Sequence, residues 1–510
     1  KQFKSITKAV AQLVKKYHGS MSGEHGDGIV RSEYIALMLG KKNHSLLQEV
    51  KRLFDPHNLF NPGKIIGPLP MDQNLRYQPE RKEPEVNTFM DFSADQGILR
   101  AAEKCNGSGD CRKTTADATI CPSYRATKAE KDSTRGRANV LREVLTQGNT
   151  SNPFDSQELK AVMDLCIGCK ACASECPSNV DVATYKAEFQ YQFNKNNAIL
   201  MRDRIFAFNF GISKFIHPFR GVQNTLFKTP VLGYIIKSAL GIAPRRSMPK
   251  LHAPLDRSLI AKKTAGSSQK VYLYLDEFTN YFDVSVGRDA YELLVRLGYQ
   301  VEVLPASDSG RAYISKGFLK EAKACADQNI TRYKDIVSDK TPLLGIEPSA
   351  LFTFKDEYPK LASDKKNARK LAKNCFLIEE FIAREISRDH ISPNAFTDQS
   401  KNLKIHAHCY QKALGNPADT FAMLNLPKNY SVSLLSTGCC GMAGSFGYEK
   451  EHYEISQKIG EERLFPSVRK MDSQTVLAAN GTSCRHQIFD GTQKTALHPV
   501  SILKNALVVK

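Results

Sequence analysis

Four cysteines fall within eleven residues, Cys166-x2-Cys169-x2-Cys172-x3-Cys176, followed by Pro177. No other feature limits the local fold so tightly. Two-residue gaps let one loop wrap three thiolates around a face of a [4Fe–4S] cubane. The proline ends that turn and directs the chain away from it. Zinc knuckles and inert buried thiols do not require this run. The chain has 13 Cys, an odd and clustered count. This pattern argues against a secreted disulfide scaffold and is better read as metal ligands in a reducing compartment.

A second group precedes the first: Cys105, Cys111 and Cys121-Pro122, in CNGSGDCRKTTADATICPSY. Ser108 stands at the middle ligand position. In two-cluster ferredoxins the fourth Cys of each run serves the other cluster. Crossed ligation then gives Cys166, Cys169, Cys172 and Cys121 to one [4Fe–4S] cluster. Cys105, Cys111 and Cys176 remain for a second, either [3Fe–4S] or [4Fe–4S] with Ser108 or Asp110 as the non-Cys ligand. A third group is Cys409, Cys439-Cys440-Gly441 and Cys484, each just after an expected strand. These four are read as one further Fe–S centre, with Gly441 allowing close backbone approach. His406, His408 and His486 are neighbours rather than ligands. Cys325 and Cys375 are expected in helical segments as inert buried thiols.

The 510 residues suggest about three domains, and 41% hydrophobic residues suffice for proper cores. The fold class is α+β and α/β multidomain. Residues 1–70 form the end of a folded domain, with a helix marked by Ile6, Val10, Leu13, Val14 and Tyr17. Residues 71–90, containing Pro79 and Pro84, are a linker. Residues 91–195 form a helical Fe–S domain and 196–265 a basic helical connection. Residues 266–510 alternate strands (KVYLYL, YQVEVL, PLLGIE, LKIHAH, YSVSLLS, QTVLAAN) with helices, which indicates a mainly parallel sheet. This region looks duplicated, 270–360 against 400–510. Glu277, Asp308, Ser309 and Ala350 take the places of the later cysteines, so the first half is structural or a docking surface. The helix-like start without Met suggests numbering from within a larger protein. No apolar run reaches the roughly 18 residues of a membrane span. The expected location is cytoplasmic; 196–265 are read first as helices packed between domains, and otherwise as able to lie on the inner face of a membrane. Net charge is +19, but the basic residues are spread, so a nucleic-acid partner is not expected. A homo-oligomer is compatible with the sequence.

TGCCGMAG with Cys484 resembles the cysteine-rich CCG domain of heterodisulfide reductases and of the C subunits of glycerol-3-phosphate dehydrogenases. CNGSGDCRK, CPSYRAT, STRGRAN and LCIGCKACASECPSNVD resemble fused FAD-linked oxidases with an Fe–S half. GEHGDGIVRSEY and FDPHNLFNPGKI resemble the end of the cap domain in the D-2-hydroxyglutarate (D-lactate) dehydrogenase family. The resemblance implies a separate N-terminal FAD-binding half, a D-2-hydroxy acid substrate such as D-2-hydroxyglutarate, and electron relay from FAD through clusters to a quinone or soluble carrier. It also implies Glu24 as ligand of a divalent metal such as Zn or Mn, and His25 as base toward the substrate hydroxyl. Arg31 is implied for the substrate anion, and Asn61 and Lys64 for flavin contacts. Read without the family, EHGDG is a Gly-rich turn with a capping acid. The sequence departs from the double-CCG pattern because its first half lacks the thiolates, so one ordinary cluster suits the four remaining Cys. The rival reading is an Fe–S electron-transfer protein with no catalysis of its own, which would not need residues 1–70.

Overall fold

The computed structural model describes residues 2–73, 85–115, 118–147, 152–255 and 269–508. Pro79 and Pro84 of the expected linker, and 256–265 of the basic connection, lie outside the described residues. The chain divides into two compact units, Lys1–Pro84 and Glu85–Lys510.

In the first unit the expected helix is present as Gln2–Lys16, and a second runs over Lys41–Phe54. Asp55 ends the second helix. Its carboxylate accepts the N–H groups of Leu59 (2.8 Å) and Phe60 (2.9 Å), folding the DPHNLF corner back on itself. The core is small: Ala11, Tyr34 and Met71. Ile6, Val10, Leu13, Leu46, Val50 and Leu53 are exposed. Both helices thus show the 3–4 spacing of an amphipathic helix with the apolar stripe uncovered within the unit.

The second unit contains two four-stranded, all-parallel sheets. The first is built from β1 (Lys270–Leu273), β2 (Gln300–Val303), β3 (Leu343–Gly345) and β4 (Cys375–Leu377), in the order β2-β1-β3-β4. The second uses β5 (Lys401–His406), β6 (Tyr430–Leu434), β7 (Val476–Ala479) and β8 (Ala496–Leu497), in the order β6-β5-β7-β8. The two orders are the same pattern used twice. The inner strands are apolar on both faces, as helix-covered parallel strands must be: Val271, Leu273, Leu343, Leu344 and Ala478 have no exposed surface. Six strands coincide with apolar runs in the sequence. Cys375 is corrected: it opens β4 rather than lying in a helix. The Lys365–Lys373 helix stops at Asn374, and the following Cys-Phe-Leu is too short for periodicity to separate from the helix before it.

Residues 85–195 are helical and share one core with the first sheet. Met90, Phe92, Ala101, Leu141 and Tyr185 belong to the same buried cluster as Tyr274, Phe354 and Tyr358. The helix Val182–Asn194 is buried nearly all round. Its Glu188 accepts the N–H groups of Phe89 and Met90, each at 2.9 Å, fixing where the chain enters this unit.

Four short helices follow, Met201–Ala207, Asn209–Ile216, Arg220–Lys228 and Pro230–Ala239. Arginines at both ends tie them to the second α/β half. Arg202 grips Glu451 through two nitrogens, at 2.9 and 2.5 Å. Arg246, almost fully buried, donates to Gly447 O (2.7 Å), Gln487 Oε1 (2.5 Å) and Ser456 Oγ (2.7 Å). Among the described residues no helix is long and apolar enough to cross a membrane.

His452 joins the Fe–S segment to the second half. Its Nδ1 lies 2.8 Å from Glu449 Oε2 and its Nε2 2.9 Å from Asp164 Oδ2. Burial pulls the imidazole pKa down, but the bonds to Asp164 and Glu449 outweigh it and hold the value at about 9. A raised folded-state pKa stabilises while the group is charged. The His452 contribution, about 3 kcal/mol for a shift of this size, is therefore complete below about pH 6.5 and is lost as pH rises through about 9. Urea midpoints measured from pH 6 to 10 should fall across this window in the wild-type chain, and much less in His452→Gln. A parallel fall in both proteins would contradict it.

Candidate metal centres

Cys166, Cys169, Cys172 and Cys121 line one small cavity with apolar walls that include Ile120, Pro122 and Val182. Cys176 is absent from its lining. The helix Gln157–Asp164, capped by Ser156, delivers the loop, and left-handed residues at Gly168 and Lys170 turn it back. Cys121 arrives from a separate segment, at the cap of the helix Pro122–Thr127. Two side chains unremarked in the sequence complete the surroundings. Arg137 is fully buried; its Nη1 donates to Cys121 Sγ (3.4 Å) and to Asp132 O (2.6 Å). Burial disfavours its charge, while the Cys121 and Cys166 thiols favour it more and raise its pKa. A buried cation beside four thiols is the counter-charge that an anionic thiolate cluster needs.

Lys170 is the second such residue, placed between the cluster-spaced cysteines and 2% exposed. Its Nζ meets Asp181 (3.0 Å), Asp356 (2.5 Å) and Thr184 Oγ1 (2.7 Å), with Glu357 at 3.6 Å. Glu357 is shared with Arg311 (2.6 Å), whose guanidinium lies over the Tyr410 ring. Burial opposes the charge on Lys170, but the carboxylates prevail and raise its pKa well above the ordinary value. This chain of charges connects the loop to Tyr410, the residue after Cys409. The two thiol groups are neighbours: after burial, Cys409 heads the thiols that raise the pKa of Cys169.

The third group forms at the C-terminal ends of three parallel strands, where open α/β sheets place ligands. Cys409 follows β5, Cys439 and Cys440 follow β6, and Cys484 lies in the helix after β7. All four are buried. Hydrogen bonds from Cys439 and Cys484 hold the Cys440 thiol well below the usual range, and one from Cys439 brings Cys409 to about 7 despite its burial. One ring nitrogen of His406 and the sulfurs of Cys440 and Cys484 lie within 4.8 Å of one another. His406 Nδ1 is bonded to Thr437 Oγ1 at 2.8 Å, whereas its buried Nε2 has no hydrogen-bond partner. Four buried thiols and an unpartnered imidazole nitrogen suit a metal or cluster here. The four cysteines mark this centre in the sequence, whereas His406 reads there only as a neighbour at the end of β5. Gly441 is required for a different reason than ligand approach: a Cβ there would meet Ser456 O at 2.4 Å.

Cys111 Sγ accepts the Arg135 N–H at 3.3 Å, and Cys111 O accepts the Cys121 N–H at 3.2 Å. Glu175, beside Cys176, takes the N–H groups of Thr119 and Ile120, so the two Cys-Pro segments are joined. Ser108 Oγ donates to Asp110 Oδ2 at 3.4 Å. In the first α/β half, Glu277 accepts from Ser309 N (3.0 Å) and Oγ (2.7 Å), and Asp308 from Gly310 N (2.8 Å). Burial raises the pKa of both acids, Asp308 to about 6. Cys325 lies near them on the helix Leu319–Tyr333, and burial raises its thiol pKa.

In the first unit Glu24 and His25 are 84% and 81% exposed and pair with each other at 2.9 Å. Arg31 is turned inward, donating to the carbonyls of Met21 (2.8 Å) and Gly26. Asn61, in a left-handed conformation, and Lys64 are exposed.

Residues 1–65 match the C-terminal domain of FAD-linked oxidases, and residues 104–181 match a 4Fe-4S dicluster domain. The chain is 28% identical over 565 residues to a D-2-hydroxyglutarate dehydrogenase of Haemophilus influenzae, covering 99% of this chain and 53% of that protein. For the Escherichia coli (strain K12) protein of the same name the identity is 27%, covering 98% and 53%. The C subunit of the anaerobic glycerol-3-phosphate dehydrogenase of Escherichia coli (strain K12) is 26% identical over 296 residues, covering 57% of this chain and 73% of that protein. The chain spans about half the length of the D-2-hydroxyglutarate dehydrogenases it matches. No solved structure matches it.

Removing one member of a buried ion network strands its partners and costs about 3–5 kcal/mol. Lys170→Ala should lower chain stability by that amount in denaturant titration, while Glu461→Ala, from an exposed pair with Arg469, should change it by less than about 0.5 kcal/mol. Equal effects would contradict the assignment.

Proposed function

We propose that this chain takes part in the FAD- and Fe–S-dependent oxidation of a D-2-hydroxy acid, D-2-hydroxyglutarate to 2-oxoglutarate being the best fit. Its share is to pass electrons from a flavin site through Fe–S centres toward an acceptor. The observation that carries the reading is the arrangement of thiols in one unit: Cys121, Cys166, Cys169 and Cys172 around one cavity, with Cys409 next to Cys169. The D-2-hydroxyglutarate dehydrogenase relatives and the two matched domains support it.

FAD and Fe–S clusters, when bound, supply a two-electron acceptor and one-electron carriers, the pairing this oxidation requires. Cys121, Cys166, Cys169 and Cys172 hold one [4Fe–4S] cluster, with Arg137 balancing its charge. Cys105, Cys111 and Cys176 hold the second, either [3Fe–4S] or [4Fe–4S] with Ser108 or Asp110 as the remaining ligand. Cys409, Cys439, Cys440 and Cys484 hold the third. His25 takes the substrate hydroxyl proton and Glu24 holds a divalent metal such as Zn or Mn. Arg31 contacts the substrate anion, and Asn61 and Lys64 contact the flavin. The exposed pair Glu24–His25 and the uncovered apolar stripes of the first unit suit packing against an N-terminal FAD-binding half. The proposed location is cytoplasmic, with the basic apolar helices after Leu200 resting on the membrane surface.

The match to the glycerol-3-phosphate dehydrogenase protein favours a second reading, a non-catalytic electron-transfer component. Residues 1–65 tell against it, since they match the oxidase domain instead.

Three clusters correspond to about 11–12 iron atoms per chain. Anaerobically purified protein should show broad absorption near 400 nm and iron in that range, and EPR of the oxidised protein separates [3Fe–4S] from [4Fe–4S] at the second centre. Fewer than about four iron atoms per chain would sink the relay.

A further inference from the structure

A cavity of about 480 Å³ lies between the Fe–S segment and the two α/β halves. Two thiol groups reach it from different walls: Cys166 and Cys169 from the cluster loop, and Cys409 after β5. A further wall is the helical stretch after Leu200, through Ile205, Phe206 and Ile212. Volume and lining are those of a site for a small, mainly apolar organic ligand, which typically measures about 300–1,000 Å³. Polar groups also line the space, among them His452, Lys186 and Lys316. Lys186 Nζ donates to Cys166 O at 2.6 Å, and Lys316 Nζ pairs with Asp203 at 2.7 Å. A ligand here touches the walls of two thiol sites, and its polar neighbours His452, Lys186 and Lys316 are held in place by Asp164, Glu449 and Asp203.

Exposed residues of the same helical stretch, on its second to fourth helices, indicate where such a ligand comes from. Phe215, Phe219, Val222, Val231, Tyr234 and Ile235 are exposed. Residues 201–250 contain nine Lys or Arg and a single acidic residue, Asp203. A basic, apolar surface of this kind suits an anionic bilayer, a reservoir of lipophilic molecules. A water-soluble carrier protein could not enter the cavity.

We propose that this cavity binds a lipophilic quinone and is the place where it is reduced. The proposal rests on the relay reading above and names its acceptor. The clusters, when bound and reduced, would supply two electrons in total, one at a time. Those two electrons and two protons from solvent convert the two quinone carbonyls to the hydroxyls of the quinol. No bond to the protein forms or breaks.

The test uses the full chain with its clusters and two cavity-filling variants on different walls, Ile212→Trp and Ala187→Leu. The fluorescent quinone analogue 2-heptyl-4-hydroxyquinoline N-oxide should bind saturably, one per chain, and be displaced by decylubiquinone. Decylubiquinone should reoxidise the dithionite-reduced protein, and at least one variant should slow this by about tenfold, with reoxidation by ferricyanide unchanged. No saturable analogue binding to protein whose EPR shows loaded clusters would overturn the site and leave the relay standing. Equal quinone rates in the wild type and in both folded variants would overturn it as well. Failure of the clusters to form would sink the relay instead, and the analogue titration, which needs no cluster, would still decide the site.

Discussion

The second unit depends on a buried cation in the middle of a cysteine loop. Lys170 cannot be neutral-packed: its ammonium sits among Asp181, Asp356 and Glu357, and its pKa is driven upward rather than down. Those carboxylates come from the helix after the loop and from the first α/β half. Arg311 then extends the network to Tyr410. Geometry is the consequence. A loop that would otherwise be a short surface turn is held against Cys409, so two thiol groups far apart in sequence become neighbours. A buried ion pair contributes little net stability compared with an apolar substitute, and its use here is to set the register between segments.

The same loop illustrates how metal binding and folding are coupled. Burial and neighbouring thiols raise the pKa of Cys169 and Cys172. Cys439 and Cys484 are raised as well, first by hydrogen bonds to Cys409 and Cys440 and then by burial. Ligation requires thiolates, so protons must leave as metal enters. Arg137 lies close to the thiols of the first site and Lys412 to those of the third, and Lys412 also fixes the loop before Cys439 by donating to Thr437 O and Gly438 O. Electrostatic support is therefore built into the walls of the thiol sites.

How much of this is readable in the sequence depends on how local the signal is. Ligand-spaced cysteines identify themselves over eleven residues, and apolar runs such as KVYLYL and LKIHAH identify strands by burial on both faces. β4 and β8 leave no such mark: Cys375–Leu377 is wedged between the helices Lys365–Lys373 and Ile378–Ser387 and merges with them in the pattern, and β8 is two residues long. Lys170, Arg137 and His406 are hidden for another reason. A lysine or arginine in sequence reads as a solvated charge, and only the arrival of Asp356 or Cys121 from another segment makes it a buried partner. Gly441 stands out in the sequence for the wrong neighbour: the close approach it permits is to the carbonyl of Ser456 on the helix Tyr453–Arg469.

The central claim is that Cys121, from its own segment, completes the centre of Cys166, Cys169 and Cys172, while Cys176 serves the other. EPR spectra of Cys121→Ser and Cys176→Ser, recorded on oxidised and reduced protein alongside iron analysis, test it most directly. Crossed ligation predicts that Cys121→Ser alters one [4Fe–4S] signal and Cys176→Ser a different one, each leaving the other centres as in the wild type. Both variants altering the same signal, or Cys121→Ser leaving every signal intact, would contradict it.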